Sequence, residues 1–230
     1  MKRSWLSLSW THARWMLRTT WRNGEQLLLV IGLPILAFLA ITRTDLLPGS
    51  QEPIVVVVAM VVLAAGFTSP AISLAFDRRY GSYAFLGTTP LTRGGIVFGT
   101  LIAIGISTLL AVSLVGLAAI VFSEASPAVA WLILATVTGL AAVVPWAFVV
   151  GGTIRAETVL VVANATFVVA TLFGGVLIPA DSLPYGTVLA WLPPGAIVAV
   201  ANGSEPLAVV ALLGWGAVGV LLARRSFHWR

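Results

Sequence analysis

Charge is scarce in this chain of 230 residues: Asp, Glu, Lys and Arg make up 9% of it, against about 25% in an ordinary soluble domain. Cysteine is absent, which excludes disulfides and thiolate metal sites. The two histidines, His12 and His228, lie near opposite ends of the chain and far from any acid cluster, so no metal ligands are assigned. The Gly-x-x-x-x-Gly-Lys-Ser/Thr loop that cradles ATP phosphates does not occur, and neither does the Gly-x-Ser-x-Gly elbow of a nucleophilic hydrolase. No catalytic residue and no bound cofactor are therefore assigned. What remains is apolar: 59% of the residues are hydrophobic. A single soluble domain cannot hide that much surface, so the solvent is lipid. Nine tryptophans fit the same medium, because indole rings settle at the lipid–water boundary.

A membrane span needs roughly 20 apolar residues. The uncharged stretches predict spans at about 26–47, 53–76, 94–122, 128–151, 158–180 and 206–223. The first is the shortest and uses Leu46, Leu47 and a snorkelling Arg43 to reach full length. A seventh apolar stretch, within 181–205, carries Pro184, Gly186, Pro193, Pro194 and Gly195. Proline removes a donor and clashes with the preceding turn, so no continuous helix crosses here. Broken backbone survives at membrane depth only when it is buried in protein or lines a cavity. The stretch reads as a re-entrant segment that returns to the side it came from.

Basic residues supply an independent check. With six spans, every one of the 13 basic residues except Arg43 falls on one side, while Asp45, Glu52, Glu124, Asp181 and Glu205 fall on the other. Counting 181–205 as a span would put Arg224, Arg225 and Arg230 on the wrong side of that bias. The sequence thus predicts an all-α integral membrane protein, a single transmembrane domain over 1–230, with both termini in the cytoplasm. The basic balance of +5 reports topology, not nucleic-acid binding.

Residues 3–22 alternate apolar and basic. At 100° per residue Arg3, Arg14, Arg18 and Arg22 share one stripe roughly 100° wide, the pattern of a helix lying in the headgroup plane against anionic lipid. Anchoring alone would explain it. Pro34, Pro70 and Pro145 fall inside spans one, two and four and predict kinks there. The inner parts of the spans carry no ionisable residue, unlike those of most ion-coupled carriers. Asn164 and Thr166 in span five are the most polar intrusions, a possible pathway element or a hydrogen bond to a neighbouring helix. Gly95 and Gly99 form one Gly-x-x-x-Gly, read as close packing.

The longest connection on the basic side, 77–93, exceeds the usual 2–8 residues of a bundle turn by about twofold. Asp77, Arg78, Arg79 and Tyr80 open a polar turn closed by Gly81; an apolar stretch at 82–86 follows, broken by Gly87, Thr88, Thr89 and Pro90. A short helix with a charged start and a proline stop suits docking into a partner's groove. The order Asp77, Arg78, Gly81, then Thr89, Pro90 and Leu91 with Arg93 beyond, resembles the coupling-helix loop of type-2 permeases of ATP-binding-cassette (ABC) exporters. The family commonly has a second acid and a second base where this chain has Arg79 and Tyr80. The layout of nearly the whole chain is similar too: an interfacial helix, six spans, and a broken outer segment whose Gly, Pro, Leu-Pro, Pro wording appears as Gly174, Gly175, Pro179, Leu183, Pro184 and Pro193. The stretches Arg22–Leu29, Phe76–Gly81 and Gly151–Glu157 resemble more narrowly an actinobacterial drug-exporter branch.

The resemblance implies a half-transporter in the cytoplasmic membrane. Two such permeases, identical or homologous, would work with two copies of an ABC ATPase that binds the ATP and Mg, docked on Asp77–Arg93. The lack of intramembrane charge points to a hydrophobic or amphipathic small molecule, drug or lipid as cargo. Two other readings stay open on the residues alone. An energy-independent channel or secondary carrier would need a polar or charged pathway. A membrane enzyme or assembly factor would need an ionisable cluster at one membrane face, to which only Arg155 and Glu157 come close, a pair read here as a self-neutralising turn.

Overall fold

The computed structural model describes residues 4–44, 52–81, 88–122, 128–203 and 205–226. Its regular elements are helical among the described residues: α1 (Trp5–Trp21), α2 (Gly24–Leu27), α3 (Leu33–Arg43), α4 (Pro53–Leu63), α5 (Ser69–Arg79), α6 (Arg93–Phe122), α7 (Val129–Thr153), α8 (Ala156–Phe173), α9 (Gly186–Leu189), α10 (Pro193–Ala201) and α11 (Pro206–Ser226). Among the described residues five helices are long and apolar enough to cross a membrane: Pro53–Arg79, Gly94–Phe122, Val129–Thr153, Ala156–Phe173 and Pro206–Arg225. Val30–Arg43 is a shorter apolar helix.

Two of the three internal prolines reshape their helices in the same way. α2 and α3 are joined by a π-helical turn, Leu28–Gly32, and α4 and α5 by another, Ala64–Thr68. Pro34 and Pro70 each stand two residues past such a turn. A proline has no N–H for the carbonyl one turn back, and its ring crowds that carbonyl, so widening the preceding turn relieves both problems without ending the helix. Pro145 behaves differently and sits inside an unbroken α7.

Several ends differ from the sequence reading. Span two runs past Phe76: Asp77, Arg78 and Arg79 form the last turn of α5, because basic side chains suit a helix C-terminus and the stop comes only at Gly81, with φ +78°. Span five stops earlier than 180. Gly174 caps α8, Gly175 takes φ +85°, and Leu177 N–H turns back to the Thr171 carbonyl at 3.0 Å. Span four runs to Thr153 instead of 151, and span six to Ser226 instead of 223. The helix at the expected span one begins at Gly24 and ends at Arg43, where Thr44 is extended; the expected continuation over 45–47 lies outside the described residues.

α4 and α7 form the centre. Ile54 through Ala59 are buried without interruption, as expected of a helix apolar all round and surrounded by others. Lipid is as apolar as leucine, so small residues that let backbones approach hold such helices together. A Cβ at Gly139 would meet Val62 at 2.9 Å, one at Gly66 would meet Val143 at 2.6 Å, and one at Gly151 would meet the Ala71 carbonyl at 2.5 Å. These contacts advance in the same direction on both chains, so α4–α5 and α7 run parallel. The same holds for α7 and α11, where Gly216 faces Ala141 and Gly219 faces Pro145 and Trp146. Trp146 Nε1 donates to the Trp215 carbonyl at 3.0 Å across that seam. By contrast, α8 has only 22% of its most apolar window buried, against 61% for α7, and forms an outer wall.

Candidate functional site

The residues expected to face a partner converge on the basic end of α5, but they do not all point outward. Arg78 Nη1 donates to the Gly151 carbonyl at 2.8 Å, near the C-terminus of α7. A cation there meets the negative end of the helix dipole and a carbonyl with no further turn to bond. The reach is short because Gly151 has no side chain and α7 touches the α5 backbone at this level. Arg78 Nε is buried and has no hydrogen-bond partner of its own. Arg79 forms an ion pair with Glu157 in the first turn of α8. Glu157 therefore pairs across to span two, which corrects the expectation that it neutralises Arg155 within the turn between spans four and five. Asp77 lines a cavity between the first helices, described below. Tyr80 caps α5 with its N–H on the Phe76 carbonyl at 2.9 Å; its ring stacks beside Phe76 at 6.2 Å and is 74% exposed.

The segment returns to the bundle at a second fixed point. Thr92 Oγ1 accepts from Gly95 N–H at 3.1 Å, an N-cap for α6, and from the Trp5 indole N–H at 2.9 Å. Leu91 packs half-buried against the main core. Leu91 N–H donates to Thr89 Oγ1 at 3.4 Å, Pro90 is exposed, and Arg93 is the first residue of α6. The short docking helix expected over 82–86 lies outside the described residues.

The helix expected in the headgroup plane is fastened to α6 along its start. Ser9 and Ala13 are fully buried, and Ser9 packs against Gly95 and Gly99: a Cβ at Gly99 would sit 2.6 Å from the Ser9 carbonyl. The Gly-x-x-x-Gly is thus a packing site, and its partner is α1. Trp5 also lies 5.2 Å from Phe98, ring to ring. His12 sits 3.5 Å from Thr100 Oγ1, and burial pushes its pKa below the ordinary 6.5. The outer face keeps Trp10, Trp15 and Trp21 exposed, as a membrane-surface helix requires.

At the opposite end, Gly174 and Gly175 meet α9 and α10 in a backbone knot. A Cβ at Gly195 would lie 2.3 Å from the Leu189 carbonyl, one at Gly174 would strike Pro194, and one at Gly186 would overlap the Ala180 carbonyl. Pro179 accepts from Ser182 Oγ at 2.7 Å, Leu183 and Pro184 link the 3-10 turn Ala180–Ser182 to α9, and Pro193 opens α10 at its first residue. Trp215 of α11 donates to the Trp191 carbonyl at 2.8 Å, tying the knot to the last helix. Pro194, Gly195 and Gly186 are as necessary here as the residues expected from the sequence; the signal for them was their spacing as helix breakers.

Asn164 and Thr166 join neither region. Both are exposed on α8, and Asn164 Nδ2 donates back to the Leu160 carbonyl of its own helix at 2.7 Å.

A bundle of apolar helices, several running parallel in pairs, with a broken segment packed at one end and a clamped polar segment at the other, defines a multi-pass α-helical membrane permease. The family model for the ABC-2 type transporter matches residues 8–200, most of the 230, and the chain belongs to that family. It is the membrane subunit of an ABC transporter and not its catalytic part. No curated protein matches the chain.

Proposed function

We propose that the chain is the permease half of an ATP-driven exporter that moves a hydrophobic or amphipathic small molecule, drug or lipid across the cytoplasmic membrane. Two permeases, identical or homologous, pair with two ABC ATPase subunits, which carry the ATP and Mg. The chain spans the membrane six times, with both termini and the basic end in the cytoplasm. Two observations support that count. The helical run from Gly24 to Arg43 is continuous through its π-turn and about 30 Å long at 1.5 Å per residue. α7 and α11 run parallel, as they do when only α8 crosses between them and 181–205 turns back.

The observation that carries the coupling assignment is the double fastening of the Asp77–Arg93 segment. At its entry Arg78 and Arg79 hold α5 to α7 and α8; at its exit Thr92 holds α6 to α1. A partner that pushes on the exposed Tyr80, Gly81 and Pro90, with the half-buried Thr89 between, moves four spans and the surface helix together. ATP drives such a movement only by being bound more tightly in one arrangement than the other.

Gentle solubilisation of the tagged chain from its native membrane, followed by mass spectrometry of co-purifying proteins, tests this reading. A stoichiometric ATPase with a phosphate-binding loop is expected. A stable preparation of the chain alone, active in transport without nucleotide, would replace the reading with a carrier or channel. Cysteines placed at Ser204 and Ser226 test the topology. The first should react with impermeant reagents from outside and the second should not.

A further inference from the structure

A cavity of about 570 Å³ lies between α1, α3, the α4–α5 pair and α6, within the roughly 300–1,000 Å³ range of sites that hold a drug-sized ligand. Both π-turns border it. Val30 comes from the first, Ala64 and Ala65 from the second, and Pro34 and Pro70 stand beside them. Widened turns of this kind are rare and cluster at functional sites.

The walls are graded. Ser69, Ser73 and Asp77 line the cavity at intervals of four residues, on one face of α5, and Thr100, Ser107 and Thr108 line it from α6. Ser69 and Ser73 are exposed to the open volume. Thr108 is 1% exposed, and its hydroxyl has no hydrogen-bond partner. The buried Thr136 and Thr138 of α7, in contrast, each donate to a carbonyl of their own helix. An orphaned hydroxyl in an apolar surrounding costs about 1–3 kcal/mol. The remaining wall is apolar, with Leu33, Met60, Val61 and Phe148. Asp77 is the single ionisable side chain among the described lining residues, so an anionic head is disfavoured there and a donor-bearing head favoured.

We propose that this cavity binds one amphiphile with a cationic or hydroxylated head, the head at Asp77 and Ser73 and the apolar body between the two π-turns. The residues lining the site all come from one subunit. Its role as a cargo site rests on the exporter reading; binding itself does not.

The purified chain, in nanodiscs of phosphatidylcholine, is exposed to dodecylamine carrying a diazirine in its tail, with the corresponding dodecanoic acid as the anionic probe. Saturable amine labelling of 60–73 and 100–108 is expected, with the acid about tenfold weaker. Ser73→Phe, at an exposed position that tolerates bulk, fills the cavity and should lower amine labelling about tenfold. Val210→Phe on the outer face of α11 should leave it unchanged. Labelling that spreads over the outer faces of α8 and α11 and ignores Ser73→Phe would overturn the proposal, as would equal labelling by the acid. ATPase recovery, read on the same preparations, separates the two ideas. A failed cavity with the ATPase retained leaves the exporter reading standing. A cavity that binds in a chain recovering no ATPase sinks the exporter reading alone.

Discussion

Pro145 and Pro70 confront the same chemical problem in two parts of the bundle and meet it in opposite ways. In α7 the carbonyl deprived of its helical donor by Pro145 is that of Ala141, and Gly216 of α11 brings its Cα against this oxygen. A weak Cα–H···O contact, worth about 0.5–1 kcal/mol, is available there, and the helix stays regular. Around α4–α5 the neighbouring Gly151 meets the Ala71 carbonyl, not the Gly66 carbonyl that Pro70 deprives of its donor. The turn widens to a π-helix, and open volume remains on the side of α1, α3 and α6. The molecule is therefore divided into a tightly knit half, α4, α7, α10 and α11, and a looser half with a cavity. Proline is compatible with both; the neighbour's side chain decides which results.

Glycine substitutions give the sharpest contrast between the halves. Gly216→Leu drives a side chain into the Ala141 carbonyl and should cost more than about 4 kcal/mol, seen as loss of the monodisperse peak and of thermal stability in detergent. Gly105→Leu in α6 faces open space and should change stability by no more than about 0.5 kcal/mol. Equal tolerance at both positions would erase the division.

Next in size is the clasp at the basic end. Arg78→Met removes a charged donor from the Gly151 carbonyl and should cost about 1.5–3 kcal/mol, read by thermal unfolding. The same variant should lose ATPase activation while inserting normally; full activation would remove Arg78 from the coupling path.

A smaller, pH-dependent effect is expected where α1 meets α6. The folded pKa of His12 is lowered by burial, so the undocked helix binds the proton more readily. Docking is complete above 6.5 and weakens as pH falls from there through the lowered folded value. The chain lacks cysteine, so spin labels placed at Arg14 and Leu101 report the distance cleanly. His12→Gln should flatten the pH response. Smallest of all, Arg79→Gln should cost about 0–1 kcal/mol and be masked by salt, because both partners of its ion pair are exposed.

Hydropathy and the placement of arginines carried most of the architecture: the apolar runs mark where helices cross, and lipid leaves no alternative to helix at those lengths. The breakers in 181–205 likewise announced a segment that could not be one helix. Side-chain direction was less legible. Arg78 and Arg79 looked alike in the sequence, yet one enters the bundle and the other lies on its surface, since successive residues on a helix point about 100° apart. Asn164 stood out as polarity within a span, with a neighbouring helix as the favoured partner, and its amide N–H donates to its own helix.

The sequence by itself determined that this chain lives in a membrane, how its ends are charged, and where its backbone must break, because those properties follow from composition and from what each residue forbids locally. Only the tertiary structure decided that Gly95 and Gly99 seat α1, that Arg78 holds α7, and that two π-turns, each followed by a proline, border one cavity. Each of these depends on which backbone lies within a few ångströms of another, and that distance is set by packing between segments far apart in the chain.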